Sequence, residues 1–313
     1  MRLTEIAEYP APPGWTLHEV SARDGVTLRA ATWPATTPQP RGTIVVCTGR
    51  TEFIEKYFEF IGEILSRGYA VVCFDWRGQG LSQRVAADRT AGHVKRFADY
   101  DLDLEAIVGQ LLPAMPKPYV LFGHSMGGHI ALRYLASHPD TFARAFLSAP
   151  MLKAWMPALL RLVSVPLAGT MRMLGRGEGF TPGGAGNDGI ATPFEENRVT
   201  TDRARYARNN AILKADPELA LCGPTWGWAA EAFASMRMLR RRSFGRKIQC
   251  PLLIAGAAHD RIVNQGPDVT LIRNVKRGLF VLFSDAEHEL VQERDEVRRV
   301  FWTAADAFLS SPL

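Results

Sequence analysis

Six short and nearly unbroken apolar runs recur along this chain, at Thr43–Cys47, Ala70–Phe74, 119–122, 143–148, 251–255 and 279–283. A strand with one face in water alternates apolar and polar residues, so unbroken runs of this length fit strands buried on both faces, the condition of a parallel sheet. The segments between them supply the covering layers. Phe53, Ile54, Tyr57, Phe60, Ile61, Ile64 and Leu65 recur at helical spacing before Gly68 ends the stretch. Residues 97–112, 126–137, 267–275 and 292–309 read as further helices. Strands alternating with helices in this way imply an α/β fold, a mostly parallel sheet with helices on both faces. Two alternating runs, 16–20 and 26–33, flank Arg23-Asp24-Gly25, which predicts an antiparallel hairpin at the start.

The rhythm stops at Pro150 and resumes at Pro251. Between them lie helical stretches and a Gly/Pro-rich connector, 175–189, with no buried strand. The expected organisation is therefore a core made of 1–149 and 247–313, with 150–246 inserted as a helical cap. The net charge of +5 is unevenly placed: the segment 151–247 holds 15 Lys/Arg against 8 Asp/Glu, and the rest of the chain is near −2. Such a surplus suits an anionic partner, either a phosphate-bearing substrate or an anionic membrane surface, and suits a solvated basic face equally well. The run 237–247 carries no recognised nucleic-acid module, so no nucleic-acid partner is expected.

Cys47, Cys73, Cys222 and Cys250 form no C-x-x-C pair, which argues against zinc and a disulfide framework. The first fifteen residues have charges and prolines where a secretory signal needs an apolar stretch, so the expected location is cytoplasmic. Residues 155–174 are largely apolar, but Pro157, Arg161, Pro166 and Arg172 interrupt them. That argues against a membrane span and leaves an amphipathic lid or interfacial helix, in peripheral contact with the inner membrane face.

Chemistry enters with Gly123-His124-Ser125-Met126-Gly127-Gly128, a G-x-S-x-G pattern. Alone it would arise by chance in roughly one chain of this length in ten. Here it follows a buried strand and opens a helix, the context in which a serine sits on a strained turn with its hydroxyl exposed above the sheet. A serine hydroxyl needs a base within hydrogen-bond reach and a third group to orient that base. In the α/β-hydrolase arrangement these follow as acid and then histidine, each in a loop after a strand. Asp260 follows the run 251–255, and His288 follows 279–283. His18, His93, His124, His129, His138 and His259 read as structural, with His124 directed into the sheet. Asp285 and Glu287 stand too near His288 in sequence to orient it easily, and Asp75 and Asp99 read as structural. For the oxyanion the expected donors are the backbone N–H of Met126 and that of Arg50, in the loop Thr48-Gly49-Arg50-Thr51-Glu52 after the first buried run.

The chain resembles the lysophospholipase L2 and monoacylglycerol lipase branch of the α/β-hydrolases, of serine aminopeptidase S33 type. The resemblance is carried by Gly49-Arg50 with Glu52, by Phe74-Asp75-Trp76-Arg77-Gly78-Gln79-Gly80-Leu81-Ser82, by His93-Val94-Lys95-Arg96-Phe97 through Tyr100-Asp101, and by His124-Ser125-Met126-Gly127-Gly128. It implies hydrolysis of a glycerolipid bearing one acyl chain. Thr48 stands where the family usually has a histidine, and the cap is the least family-like part.

The expected chemistry is a Ser125–His288–Asp260 acyl-enzyme mechanism on a small lipid ester, without cofactor or metal. Alternatives on the same scaffold are a general carboxylesterase and an aminopeptidase-like amidase; a noncatalytic binding protein would have little reason to keep all three residues. Gly184-Ala185-Gly186-Asn187-Asp188-Gly189 matches a dinucleotide-binding pattern, but no buried strand precedes it, so no role is expected. Trp155, Met156, Leu159, Leu160, Leu162 and Val163 could enclose an acyl chain or pack the cap onto the core.

Overall fold

The computed structural model describes residues 1–185 and 193–312. Two strands, β1 (Thr16–Ser21) and β2 (Thr27–Trp33), form the expected hairpin. The buried runs become β3 (Thr43–Cys47), β4 (Ala70–Phe74), β5 (Tyr119–His124), β6 (Arg144–Ser148), β7 (Leu252–Ala257) and β8 (Gly278–Phe283). All eight join one sheet in the order β1-β2-β4-β3-β5-β6-β7-β8. The β1–β2 and β2–β4 pairs are antiparallel and the rest are parallel. This is the α/β-hydrolase arrangement.

Strand residues alternate between two apolar layers, as the pleat requires. Val45, Cys47 and Leu121 enter one layer, together with α2 (Asp99–Leu111) and α3 (Met126–Ser137). Ile44, Val46, Val120 and Phe122 enter the other, covered by α1 (Phe58–Ser66) and α8 (Asp295–Ser310). In this second layer Phe122 lies 4.5 Å from Phe60 and 5.0 Å from Phe146, ring centre to ring centre. The helix expected from 53 to 66 starts instead with one 3-10 turn, Ile54–Tyr57. That turn is held from outside: Asp75 accepts the Ile54 N–H at 3.0 Å, and Glu55 accepts from the fully buried Arg29 at 2.6 and 2.8 Å. Asp75 also takes the Arg29 Nε at 2.7 Å, so its structural reading stands.

Between β6 and β7 run α4 (Ala158–Met173), α5 (Arg203–Ala215) and α6 (Trp226–Leu239), and α7 (Gly266–Ile272) follows β7. The stretch with family character, 93–101, is the seat of α6. His93 Nδ1 meets Thr225 Oγ1 at 2.8 Å, the Phe97 N–H donates to Glu231 at 2.8 Å, and the Trp228 indole donates to Tyr100 at 3.2 Å. His129 of α3 adds a fourth tie, Nε2 to Ser235 Oγ at 2.7 Å. On α4 Leu159, Leu162 and Met173 are 76%, 73% and 89% exposed, so the packing role considered for the first two does not hold. Part of the basic surplus is spent internally, because Arg205 and Arg208 of α5 both pair with Glu59 of α1. Among the described residues no helix is long and apolar enough to cross a membrane. Of the dinucleotide-like pattern, positions 186–189 lie outside the described residues.

Candidate active site

Ser125 occupies the turn between β5 and α3 with φ 49° and ψ −113°, a backbone conformation that L-residues adopt only under constraint. Its neighbours supply the constraint. A Cβ on Gly123 would stand 2.8 Å from the backbone of Gly128, and one on Gly127 would stand 2.2 Å from the Cys47 carbonyl oxygen and 2.4 Å from that of Thr48. Glycine at 127 thus lets the start of α3 press against the end of β3. The same contact brings Met126, the first residue of the helix, beside the loop that holds Gly49 and Arg50. The Met126 N–H lies in the first helical turn, where backbone donors have no intrahelical acceptor.

The loops after β7 and β8 deliver the other two expected residues to this turn. His288 Nε2 lies 2.9 Å from Ser125 Oγ, and its Nδ1 lies 2.7 Å from Asp260 Oδ2. Asp260 also accepts the N–H groups of Ile262 and Val263, each at 2.8 Å, and the Gln265 amide at 2.9 Å. Burial pushes the Asp260 carboxyl up, but the hydrogen bond and charge of His288 with the two backbone donors hold it below its ordinary value. The sequence rivals are elsewhere: Glu287 pairs with Arg261 at 2.5 Å, and Asp285 accepts from Ser284 at 2.9 Å. Ser125, His288 and Asp260 therefore form one hydrogen-bonded chain, with histidine placed to take the serine proton.

The loop after β3 is clamped from three sides. Trp76 donates its indole N–H to the Thr48 carbonyl at 2.8 Å. Gln79 accepts the Thr51 N–H and donates to the Gly49 carbonyl, each at 3.0 Å. Glu52 accepts the Gly49 N–H. These residues fix where the Arg50 amide stands. A cavity of about 660 Å³ reaches Ser125 and His288 and is walled by Leu160, Val163 and Leu167 of α4 and by Trp228, Phe233 and Met236 of α6. That volume is within the range of small-molecule sites.

The model of the serine aminopeptidase S33 family (Hydrolase_4) matches residues 38–295, most of the chain. The chain belongs to the serine aminopeptidase S33 family. Lysophospholipase L2 of Escherichia coli K12 is 32% identical over 268 residues, 82% of this chain and 77% of that protein. Monoacylglycerol lipase of Mycolicibacterium smegmatis is 29% identical over 140 residues, 44% of this chain and 47% of that one. A soluble variant of monoglyceride lipase from Saccharomyces cerevisiae, solved with a substrate analogue, shares the fold with a TM-score of 0.74 at 20% identity, covering 96% of each chain. This S33 protein is thus an α/β-hydrolase of the lysophospholipase and monoglyceride lipase group, and a carboxylic ester hydrolase by class.

The S33 hydrolase also holds a buried charged cluster that the sequence did not announce. Lys56 Nζ lies 2.8 Å from Glu52 and 2.6 Å from Glu289, and Tyr57 donates to Glu52 at 2.5 Å. Burial pushes the Glu52 carboxyl up, and the charges of Lys56 and His124 with these donors override it, to about 2. His124 is not turned away into the sheet: it lines the cavity, its ring centre 4.8 Å from that of His288, and burial holds its imidazole neutral, down to about 4. Glu52, His124 and Glu289 are close enough to share a cation. The Lys56 ammonium already stands between the two carboxylates of that group. Glu52 and Gln79 stood in the family-like stretches, the one signal that marked them; Lys56 and Glu289 had none.

Proposed function

We propose that this S33 hydrolase cleaves the ester of a glycerolipid bearing a single acyl chain, a lysophospholipid or a monoacylglycerol. The observation that carries this reading is the hydrogen-bonded chain from Asp260 through His288 to Ser125 at the wall of a largely apolar cavity. His288 Nε2 takes the Ser125 proton as the oxygen bonds to the ester carbonyl carbon, and the negative charge on the carbonyl oxygen is met by the N–H groups of Met126 and Arg50. Collapse breaks the bond to the glycerol oxygen, which leaves with the proton from His288. Water, deprotonated by the same imidazole, then attacks the acyl-enzyme, and the fatty acid leaves as Ser125 regains its proton. Asp260 keeps the proton of the resting imidazole on Nδ1 and stabilises the imidazolium.

In this reading 150–246 acts as the cap over the core of 1–149 and 247–313, with Leu160, Val163 and Leu167 against the acyl chain. Leu159, Leu162 and Met173 face outward on the same helix, near a groove lined by Lys153, Arg161, Arg237 and Arg240. Exposed apolar residues beside cations that pair with no carboxylate among the described residues suit an anionic lipid surface, met peripherally from the cytoplasmic side. Aminopeptidase-like amide cleavage is the second reading, favoured by Glu289: its Oε2 is buried, has no hydrogen-bond partner among the described residues, and belongs to a cavity-lining side chain that an amine could meet.

The test is turnover by purified protein of lysophospholipids, monoacylglycerols, chromogenic esters of graded acyl length and aminoacyl amides, with Ser125→Ala as control. Cleavage of one-chain glycerolipids above the short esters supports the reading. Preference for the amides replaces it with the second, and near-parental turnover by Ser125→Ala refutes both.

A further inference from the structure

Arg50 matters through its side chain as well as its amide. The guanidinium lines the cavity, its Cζ 5.0 Å from the Trp228 ring centre, and one of its terminal nitrogens donates to the Cys222 carbonyl at 3.1 Å. It lies in a slot shaped for it: a Cβ on Gly92 would stand 2.4 Å from the same terminal nitrogen. Among the described residues no carboxylate pairs with this cation, and its Nε is buried without an acceptor. Burial lowers its pKa to about 10, so it is still charged at neutral pH. By contrast, the buried cations Lys56 and Arg29 are each matched by two carboxylates. A desolvated guanidinium without a counter-ion is costly, and a planar fork with free donors suits an oxyanion above all.

We propose that the Arg50 guanidinium is the head-group anchor of this pocket, taking the phosphodiester of a lysophospholipid while the N–H of the same residue faces the ester oxygen. This rests on the ester-hydrolase reading of the same site. The reach agrees: the guanidinium carbon is as many bonds from the Arg50 amide nitrogen as phosphorus is from the ester carbonyl in a glycerol acylated at one end and phosphorylated at the other. Either arm, extended, spans about 7 Å. The carboxylate of a released fatty acid is excluded on the same count, because it forms at the reacting carbon beside Ser125, one side-chain length from the guanidinium. The anchor makes Arg50 a specificity-determining residue, separating phosphorylated from neutral glycerolipids of one acyl length.

The experiment compares lauroyl-lysophosphatidylglycerol with monolaurin, for the parent and for Arg50→Met, with circular dichroism to show that both are folded. Arg50→Met should lower kcat/KM for the phospholipid by about tenfold to a hundredfold more than for monolaurin, chiefly through KM. In a Ser125→Ala background, binding of lauroyl-lysophosphatidylglycerol should weaken by a similar factor on adding Arg50→Met. Equal losses on both substrates overturn the anchor while leaving the hydrolase reading intact. An unchanged substrate ratio with a raised inhibition constant for laurate gives the slot to the fatty acid and also overturns it. A parent that cleaves neither ester removes the hydrolase reading and the anchor together.

Discussion

Replacing Asp260 by Asn separates the stability of the site from its chemistry. The carboxylate receives four donors, the N–H groups of Ile262 and Val263 on Oδ1 and those of Gln265 and His288 on Oδ2, at 2.7 to 2.9 Å. Asparagine offers one acceptor oxygen and one donor group in the same shape. With its oxygen toward the two backbone amides, its NH₂ faces Gln265 and His288. Gln265 can answer by rotating its side-chain amide, since its Oε1 is at present buried and unpartnered. His288 can answer only by moving its proton from Nδ1 to Nε2, which puts a donor where Ser125 needs an acceptor.

The fold should therefore lose about 1–3 kcal/mol, the worth of exchanging charge-assisted hydrogen bonds for neutral ones. Turnover should fall by about 10² to 10⁴, or about 2.7–5.4 kcal/mol of barrier at 1.36 kcal/mol per decade. The assay is kcat/KM on a short chromogenic ester beside urea unfolding of both proteins. Because folding holds the Asp260 carboxyl below its ordinary value of 3.8, the stability it contributes is complete above that pH and is lost as acid passes through the lowered value; the Asp260→Asn variant should lack this acid-side loss. More than a tenth of parental kcat/KM in Asp260→Asn would refute the reasoning, and the orienting role would have to pass to Asp285 or Glu287 despite their other partners.

Ser125→Ala should cut ester turnover by about 10³ or more and abolish labelling by a phosphonate probe while unfolding in urea like the parent; retained labelling would move the nucleophile elsewhere. Gly127→Ala drives a methyl into the carbonyls of Cys47 and Thr48, so urea unfolding should show a loss of about 3 kcal/mol, and kcat should fall as the Arg50 amide shifts; parental stability would mean that the turn can relax. His124 and His129 are held neutral by burial, at about 4 and about 3 against an ordinary 6.5, so the unfolded chain takes up protons that the folded one refuses. Stability should therefore be full above pH 6.5 and fall on acidification by up to about 1.4 kcal/mol per pH unit for each histidine, with a shallower slope in His129→Gln; equal slopes in the two proteins would count against this. Neutralising Arg240, Arg241 and Arg242 together should weaken binding to anionic vesicles at low salt, and less so at physiological salt where screening acts over about 8 Å, with hydrolysis of a short soluble ester little changed. Equal vesicle binding by parent and variant at both salts would return these arginines to a solvated surface.

The strands were legible to within two residues at their ends because an unbroken apolar run has few other places in a folded chain. Ser125 was legible because its turn requires glycine at 123 and 127, and side-chain volume at those positions is a local property. Asp260 and His288 could be picked out because topology puts the ends of parallel strands on one edge of the sheet, so order along the chain stands in for position in space. His124 was misplaced for the opposite reason: where a strand-end side chain goes depends on what it can pack against, here Glu52, 72 positions away in sequence and 4.0 Å from its ring. Leu159 and Leu162 share an apolar run with Leu160 and Val163, all four more than half exposed, yet helix rotation sets only Leu160 and Val163 at the rim of the cavity.

By itself the sequence determined the doubly covered sheet and the serine turn, which follow from patterns only a few residues long, and it pointed through strand order to the aspartate and histidine that the structure brings to that turn. Tertiary structure alone decided that Lys56 stands between Glu52 and Glu289, that α6 rests on residues 93–101, and that the Arg50 guanidinium has a ring, a carbonyl and a glycine around it but no carboxylate among the described residues. Those arrangements join residues up to 233 positions apart. Their energies depend on burial and distance, which no local pattern encodes.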